Sequence, residues 1–282
     1  MKSFKISTFL AFLTLLNLPA LSRASDYLTP RMAALGGAGR AGPLLNDSIF
    51  LNPSFASLLP TYSLALNYSA LRQPEGRNYS VSIQDGRSEL FQAGVAYTVR
   101  EDNSWVHFGV SKSALRQLGF GISGKLFFEK LPGGSQRTSH EVVLSTTYVP
   151  IPWFQAALVI DNALETARTL DQGLYREVAL GVKFNVDKIV LVYVDPHVTP
   201  ALEGSARYGH EAGLEFVMLS DFFLRIGNFR NSAIPTLGGA RGNGWGTGFG
   251  WIGPRFSIDY GLSRALTPTL GSNHSVGMAF YF

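Results

Sequence analysis

The sequence predicts an all-β fold, a transmembrane antiparallel β-barrel of about fourteen strands. Three observations predict it: apolar residues recur at every second position, connections sort by length into two alternating sets, and an alternating segment ends on Phe282.

The alternation comes first. Tyr62, Leu64, Leu66 and Tyr68 alternate with Ser63, Ala65, Asn67 and Ser69, and Phe91, Ala93, Val95, Tyr97 and Val99 alternate with Gln92, Gly94, Ala96 and Thr98. The same period recurs through Leu118–Phe128, Val178–Phe184, Trp245–Trp251 and Phe256–Leu262. Successive side chains of a strand point to opposite faces, so each segment has one apolar face and one small or polar face. Strands are predicted at 61–69, 78–84, 88–99, 104–112, 118–128, 139–148, 153–161, 174–184, 188–195, 206–218, 221–229, 244–252, 255–263 and 273–282. Several match the ~9–11 residues that a tilted strand needs to cross a bilayer. A soluble sandwich of this size would expose charge on its non-core faces. Here that face carries mainly Gly, Ala and Ser.

The connections alternate too. Asp85-Gly86-Arg87, Val149 to Pro152, Asn185-Val186-Asp187, Leu219-Ser220 and Gly253-Pro254 are tight, whereas 70–77, 129–138, 162–173, 196–205, 230–243 and 264–272 are longer. Short turns at one end and longer loops at the other are the habit of membrane barrels, whose long loops face outward. Only 100–103 breaks the pattern. In the closing segment Val276, Met278, Phe280 and Phe282 share one face. This is the pattern of an assembly signal read by the barrel-assembly machinery, with outer-membrane lipid as the other expected partner.

The N-terminal residues read as a secretory signal, 1–24. Lys2 and Lys5 precede the apolar run Ile6 to Leu18, and Ser22-Arg23-Ala24 offers small residues for cleavage. That run is too short to span a bilayer as a helix. Removing Lys2, Lys5 and Arg23 takes the formal charge from +4 to about +1, which leaves no basic patch for nucleic acid. Without cysteine there are neither disulfides nor thiolate metal sites. Past residue 24 no stretch approaches the ~18 apolar residues of a membrane helix.

Residues 25–60 do not alternate and are expected to form a plug or hatch ahead of the barrel at 61–282. Gly36, Gly37, Gly39 and Arg40 lie in a Gly-rich run, followed by Asn46-Asp47 and Asn52-Pro53-Ser54. A phosphate loop is disfavoured, since no strand precedes the run and no Lys-Ser or Lys-Thr follows it. The run Leu35 to Gly42 with Asn46-Asp47 and Asn52-Pro53-Ser54 resembles the N-terminal region of the FadL family of outer-membrane transporters and its compact PorV-like branch, as does Ile258-Asp259-Tyr260 ahead of Asn273-His274. The resemblance implies fourteen strands, a lumenal hatch and either passage of small hydrophobic compounds such as fatty acids or, in the PorV-like case, a scaffold or secretion partner. The longest outer loop, about 230–243, is too small for the capture groove of longer members.

Lumen charges expected to pair with one another or with Arg40 and Asp47 are Lys125, Lys183, Glu215, Arg225, Arg255 and Asp259, with Arg255 and Asp259 helping to seat the segment. No catalytic or metal motif is present: His140-Glu141 and His210-Glu211 put imidazole and carboxylate on opposite faces, and no H-x-x-x-H spacing occurs. No cofactor is implied. Tyr62, Tyr68, Tyr97, Trp105, Tyr148, Trp153, Trp245 and Trp251 are expected in the aromatic girdles, and His107 in the lumen. Gly244, Gly246, Gly248 and Gly250 form a lumen stripe that either admits a neighbouring element or relieves curvature.

Overall fold

A computed structural model describes residues 28–72, 75–101, 103–130, 134–171, 173–234 and 240–282. The secretory signal expected at 1–24 and its cleavage site lie outside them. The alternating segments form fourteen strands among the described residues: β1 (Tyr62–Arg72), β2 (Glu75–Asp85), β3 (Gln92–Arg100), β4 (Asn103–Leu115), β5 (Leu118–Lys130), β6 (Gln136–Ile151) and β7 (Phe154–Asp161). The second half is β8 (Glu177–Val186), β9 (Val190–Val198), β10 (Tyr208–Met218), β11 (Phe222–Ala233), β12 (Arg241–Ile252), β13 (Phe256–Thr267) and β14 (Ser272–Tyr281). Each strand pairs antiparallel with its sequence neighbours, and β1 pairs with β14, so the sheet closes. Closure removes every edge strand.

The sidedness is that of a membrane barrel. Outward positions carry exposed apolar groups, such as Leu66, Phe108, Ile122 and Phe249, while inward positions bury Ser82, Thr98, His107, Lys125 and Thr147. Apolar-out and polar-in is stable only where lipid replaces water around the wall. No helix among the described residues is long and apolar enough to cross a membrane. Trp105 departs from the girdle expectation. It is buried against Phe127 and Leu174, on the same inward face as His107.

The connections differ in detail. The segment 70–77, read as a loop for its polar residues, is strand on both sides of a connection at 73–74. The longest connection is 162–176, which contains the short helix α3 (Ala167–Asp171), and not 230–243, because β11 and β12 extend through Ala233 and from Arg241. In β9, Pro196 lacks an N–H, and ladder pairs are missing between Ala179↔His197 and Val182↔Val194.

Ahead of β1 the chain forms α1 (Pro30–Ala34), α2 (Asp47–Leu51) and a 3-10 helix (Pro53–Leu58). The Thr29 side chain caps α1 and Pro30 opens it, as N-terminal preferences dictate. After α1, Gly36 and Gly37 turn the chain back at φ +67° and +89°, and the Gly37 N–H reaches the Met32 carbonyl at 2.8 Å. The Asn52 side chain caps the 3-10 helix by accepting from the Ser54 N–H. This segment lies inside the barrel, against its inward faces: Met32, Ala33, Ala34, Leu35, Ala38 and Ala41 are fully buried. Irregular backbone survives there only if its polar groups find partners. The wall and the segment both supply them: the Ser54 N–H donates to Ser145 Oγ of β6 at 3.0 Å, and Asn52 Nδ2 donates to Thr147 Oγ1 of β6 at 2.8 Å and to the Arg40 carbonyl of the segment itself at 2.6 Å.

The glycine stripe of β12 is an approach surface at its middle. A Cβ on Gly246 would overlap the Ala33 carbonyl, and one on Gly248 would lie 2.7 Å from Ala34 Cβ. At the stripe's ends Gly244 faces Phe229 and Gly250 faces the Arg225 and Asp259 side chains.

Candidate functional site

Two arginines of the N-terminal segment anchor it to the wall. Arg31, on α1, lies 3.2 Å from Glu215 of β10 and 3.3 Å from Asp47, and donates to the Tyr193 hydroxyl at 2.8 Å. Glu215 is shared with Arg225 of β11, which also binds Asp259 of β13. A line of alternating charges thus runs along three inward faces into the lumen. Burial works against the Arg31 charge, yet Glu215, Tyr193 and Asp47 outweigh it and hold the guanidinium above its ordinary range. For Asp47 burial wins: its carboxyl is raised despite Arg31 and the 2.7 Å hydrogen bond from Thr29.

The second anchor is Arg40. Its guanidinium lies 2.9 Å from Glu211 of β10, 3.3 Å from Glu177 of β8 and 3.5 Å from Asp195 of β9. Those carboxylates outweigh burial and raise its pKa as well. The backbone N–H groups of Gly39 and Arg40 both donate to Asp195 Oδ2 at 2.8 Å. His197 Nδ1 lies 3.1 Å from Glu211, and Arg241 of β12 closes the group on Glu177. Glu177, His197 and Glu211 also place ligand-type atoms within 4.8 Å of one another, a spacing that suits a metal ion. The guanidiniums of Arg40 and Arg241 already neutralise these carboxylates, so the donor set reads as an ion-pair cluster.

The remaining sequence-predicted residues fall as follows. Lys125 is buried and paired with Asp161 at 2.9 Å and Glu141 at 3.8 Å, and Asp161 stands opposite Glu177, one of Arg40's acids, in the β7–β8 register. Lys183 Nζ lies 5.5 Å from the Tyr193 ring centre and crowds Gly42 of the segment. Asn46 is buried, but its side chain makes no capping bond. Pro53 opens the 3-10 helix and contacts β4 and β5 near Gly109 and Gly121. Arg255 is exposed in the turn before β13, because Pro254 delays the strand to Phe256. It does not share a lumen face with Asp259, whose partner is Arg225. Val276, Met278 and Phe282 face outward and are exposed. Glu177, Asp195, Glu211 and Arg241 were not singled out from the sequence. Inward parity on predicted strands was the signal that marks three of them.

Above the segment, toward the longer connections, lies a cavity of about 180 Å³. Its floor is Leu28, Met32, Phe50 and Leu51 of the segment. Its sides are Phe127, Phe229, Leu174 and Ile234, with the Arg40–Glu211 and Lys125–Glu141 pairs at its margins. Asp161, Glu177 and Arg241 line it too, so seven charged side chains border the chamber, all held in ion pairs with one another, while the apolar floor and sides offer contact to a small apolar guest. Phe50 of the floor packs edge-on to His107 with ring centres 5.0 Å apart, which ties the floor to β4.

No family model matches the sequence, and no curated protein matches it. Solved structures do. The CymD monoaromatic hydrocarbon channel is 11% identical over 93% of this chain and 98% of its own, with a TM-score of 0.64. The toluene transporter TbuX of Ralstonia pickettii is 14% identical over 91% of this chain and 98% of its own, with a TM-score of 0.60. A FadL homologue of Pseudomonas aeruginosa is 10% identical over 92% of this chain and 98% of its own, with a TM-score of 0.55. What this chain shares with these FadL-like outer-membrane transport proteins is their fold, along nearly the whole of both chains.

Proposed function

We propose that this chain is an outer-membrane channel for small hydrophobic compounds, with the N-terminal segment as its gate. The observation that carries the reading is the apolar cavity whose floor is the segment itself, so that a guest in the cavity rests on the part that must move. A fold shared with a monoaromatic hydrocarbon channel and a toluene transporter supports it. Cavity size narrows the guest. An apolar protein cavity of about 150 Å³ holds benzene. The space here, about 180 Å³, favours a ring-sized guest over an extended fatty acyl chain.

Below the cavity the segment fills the lumen, so passage requires the Arg31 and Arg40 anchors to shift. Each anchor consists of charge pairs, whose geometry is specific but whose net gain over separated, solvated charges is small. Such contacts exchange partners more readily than an apolar interface of equal size. Calorimetric titration of the detergent-solubilised barrel with toluene tests the reading. Saturable binding that is lost on filling the cavity supports it. Absence of binding to folded protein rejects it and leaves a second reading, the sealed PorV-like scaffold, for which the filled lumen speaks.

A further inference from the structure

The outer face of the wall carries a cationic groove that the channel reading does not use. It lies where the closing strands meet, over β13, β14, β1 and β2. Arg72, Arg77 and Arg264 are all exposed and line it with Ser272, Tyr68 and, among the described side chains, one acid, Glu101. Strand parity puts the three arginines on the lipid-facing side: Arg72 follows Leu66 and Tyr68 at every second position of β1, Arg77 precedes Tyr79 and Val81 in β2, and Arg264 follows Ile258 and Tyr260 in β13.

Register brings them together. Arg264 pairs with Ser272 of β14, and Ala70 pairs with His274 of β14 on one side and Arg77 of β2 on the other. Arg264 and Arg72 therefore flank β14, about 10 Å apart by strand spacing. Immediately nearer the bilayer centre is an aromatic layer. Tyr68 and Tyr79 pack with ring centres 5.2 Å apart, and Tyr260 bonds His274 at 2.9 Å. Tyrosines at this height mark the headgroup boundary. The guanidiniums stand one step beyond it, at the end of the barrel opposite the short turns.

Among the described residues none of the three arginines has an ion pair or a side-chain hydrogen bond, in contrast to Arg31, Arg40, Arg225 and Arg241. Guanidiniums without a partner among the described side chains, at a lipid interface, call for an anion, and their planar forks match phosphate oxygens. We propose that this groove binds the phosphates of a phosphorylated glycolipid of the outer leaflet, lipopolysaccharide, and so fixes the closing seam of the barrel in its membrane. The assignment rests on the outer-membrane reading above. The source is lipid and not soluble phosphate because the groove opens on the lipid-facing wall, continuous with the tyrosine layer.

The test uses the folded full-length protein in mild detergent, with its fold verified by heat-modifiable gel migration. Native mass spectrometry counts bound lipopolysaccharide for the wild type, for the rim variant R72Q/R77Q/R264Q, and for R116Q/K188Q/R255Q at the opposite end. The wild type and the opposite-end variant are expected to bind alike. Each cation near an anionic lipid layer contributes roughly fivefold, so the rim variant is expected to bind on the order of a hundredfold more weakly. Dephosphorylated lipopolysaccharide should bind the wild type equally poorly. The proposal is overturned if the rim variant binds like the wild type, if dephosphorylated lipid binds undiminished, or if inorganic phosphate displaces the lipid at equal concentration. Toluene titration of the same samples separates the two readings. Wild-type protein that binds toluene but no lipopolysaccharide sinks only the groove, and wild-type protein that binds lipopolysaccharide but no toluene sinks only the channel.

Discussion

Arg40 meets Asp195 twice on one oxygen, through its backbone N–H at 2.8 Å and its guanidinium at 3.5 Å. Asp195 therefore fixes both the path of the segment and the position of its main cation. Removing one partner of a buried pair typically costs about 3–5 kcal/mol, because the other charge is left stranded. Arg40→Ala removes the one cation shared by three carboxylates, leaving Glu177 to Arg241, Glu211 to His197 and Asp195 to backbone N–H groups alone, whereas Asp195→Asn leaves Arg40 two carboxylates and keeps an oxygen acceptor for the N–H groups. Arg40→Ala is accordingly expected to free the segment more than Asp195→Asn. With no native cysteine, Ala38→Cys is a unique probe for this. Its maleimide labelling should be slow in the parent, faster with Asp195→Asn and fastest with Arg40→Ala.

The close approach of segment and wall gives a second prediction. A Cβ on Gly227 would overlap the Leu35 carbonyl, which is backbone and cannot rotate aside. Gly227→Ala should displace the segment and raise labelling at Ala38→Cys while the barrel still folds. At Gly76 the nearest neighbour of a new Cβ is the Arg100 side chain at 3.4 Å, so Gly76→Ala should leave labelling unchanged.

The cavity gives a third. Leu174 sits on the long connection 162–176, against Phe127 and Trp105. Leu174→Trp should fill the chamber from its side and abolish calorimetric toluene binding, with strand content by circular dichroism unchanged. Retained binding would place the guest elsewhere.

The raised Asp47 carboxyl gives a pH dependence. Its folded pKa lies above the unfolded value of about 4, so the native state holds the proton more tightly. The stability this group contributes is complete below about pH 4 and declines as pH rises through the folded value. Asp47→Asn should flatten that part of the stability–pH curve, measured as thermal midpoint in detergent. An unchanged curve would mean that Arg31 keeps Asp47 ionised throughout.

Much of the fold was legible because a barrel writes its two faces directly into the sequence. Leu64, Leu66 and Tyr68 announce lipid, and Ser63, Asn67 and Ser69 announce the lumen. Segment 70–77 misled because Arg72, Pro74, Gly76 and Arg77 have loop composition. Arginine is tolerated on the lipid-facing side only at the rim, so polarity there marks height in the membrane and not the end of a strand. Trp105 misled for the converse reason, since a tryptophan near a strand end suits a girdle unless parity is checked against His107. The acids around Arg40 were missed because Glu177, Asp195 and Glu211 lie on three strands and converge only through register, with Glu211 paired to Asp195. His210-Glu211 was set aside as a dyad. Its glutamate still faces inward, and its partner comes from the segment.

The most direct test of the gate is to lock it. Leu35 Cβ lies 3.1 Å from where a Cβ on Gly213 would stand, close to disulfide spacing, and the chain has no other cysteine to compete. Uptake of labelled toluene into proteoliposomes should be blocked in oxidised Leu35→Cys/Gly213→Cys protein and restored by reductant. Equal uptake in the locked and reduced states would show that compounds pass without moving the segment, and the gate as described would be wrong.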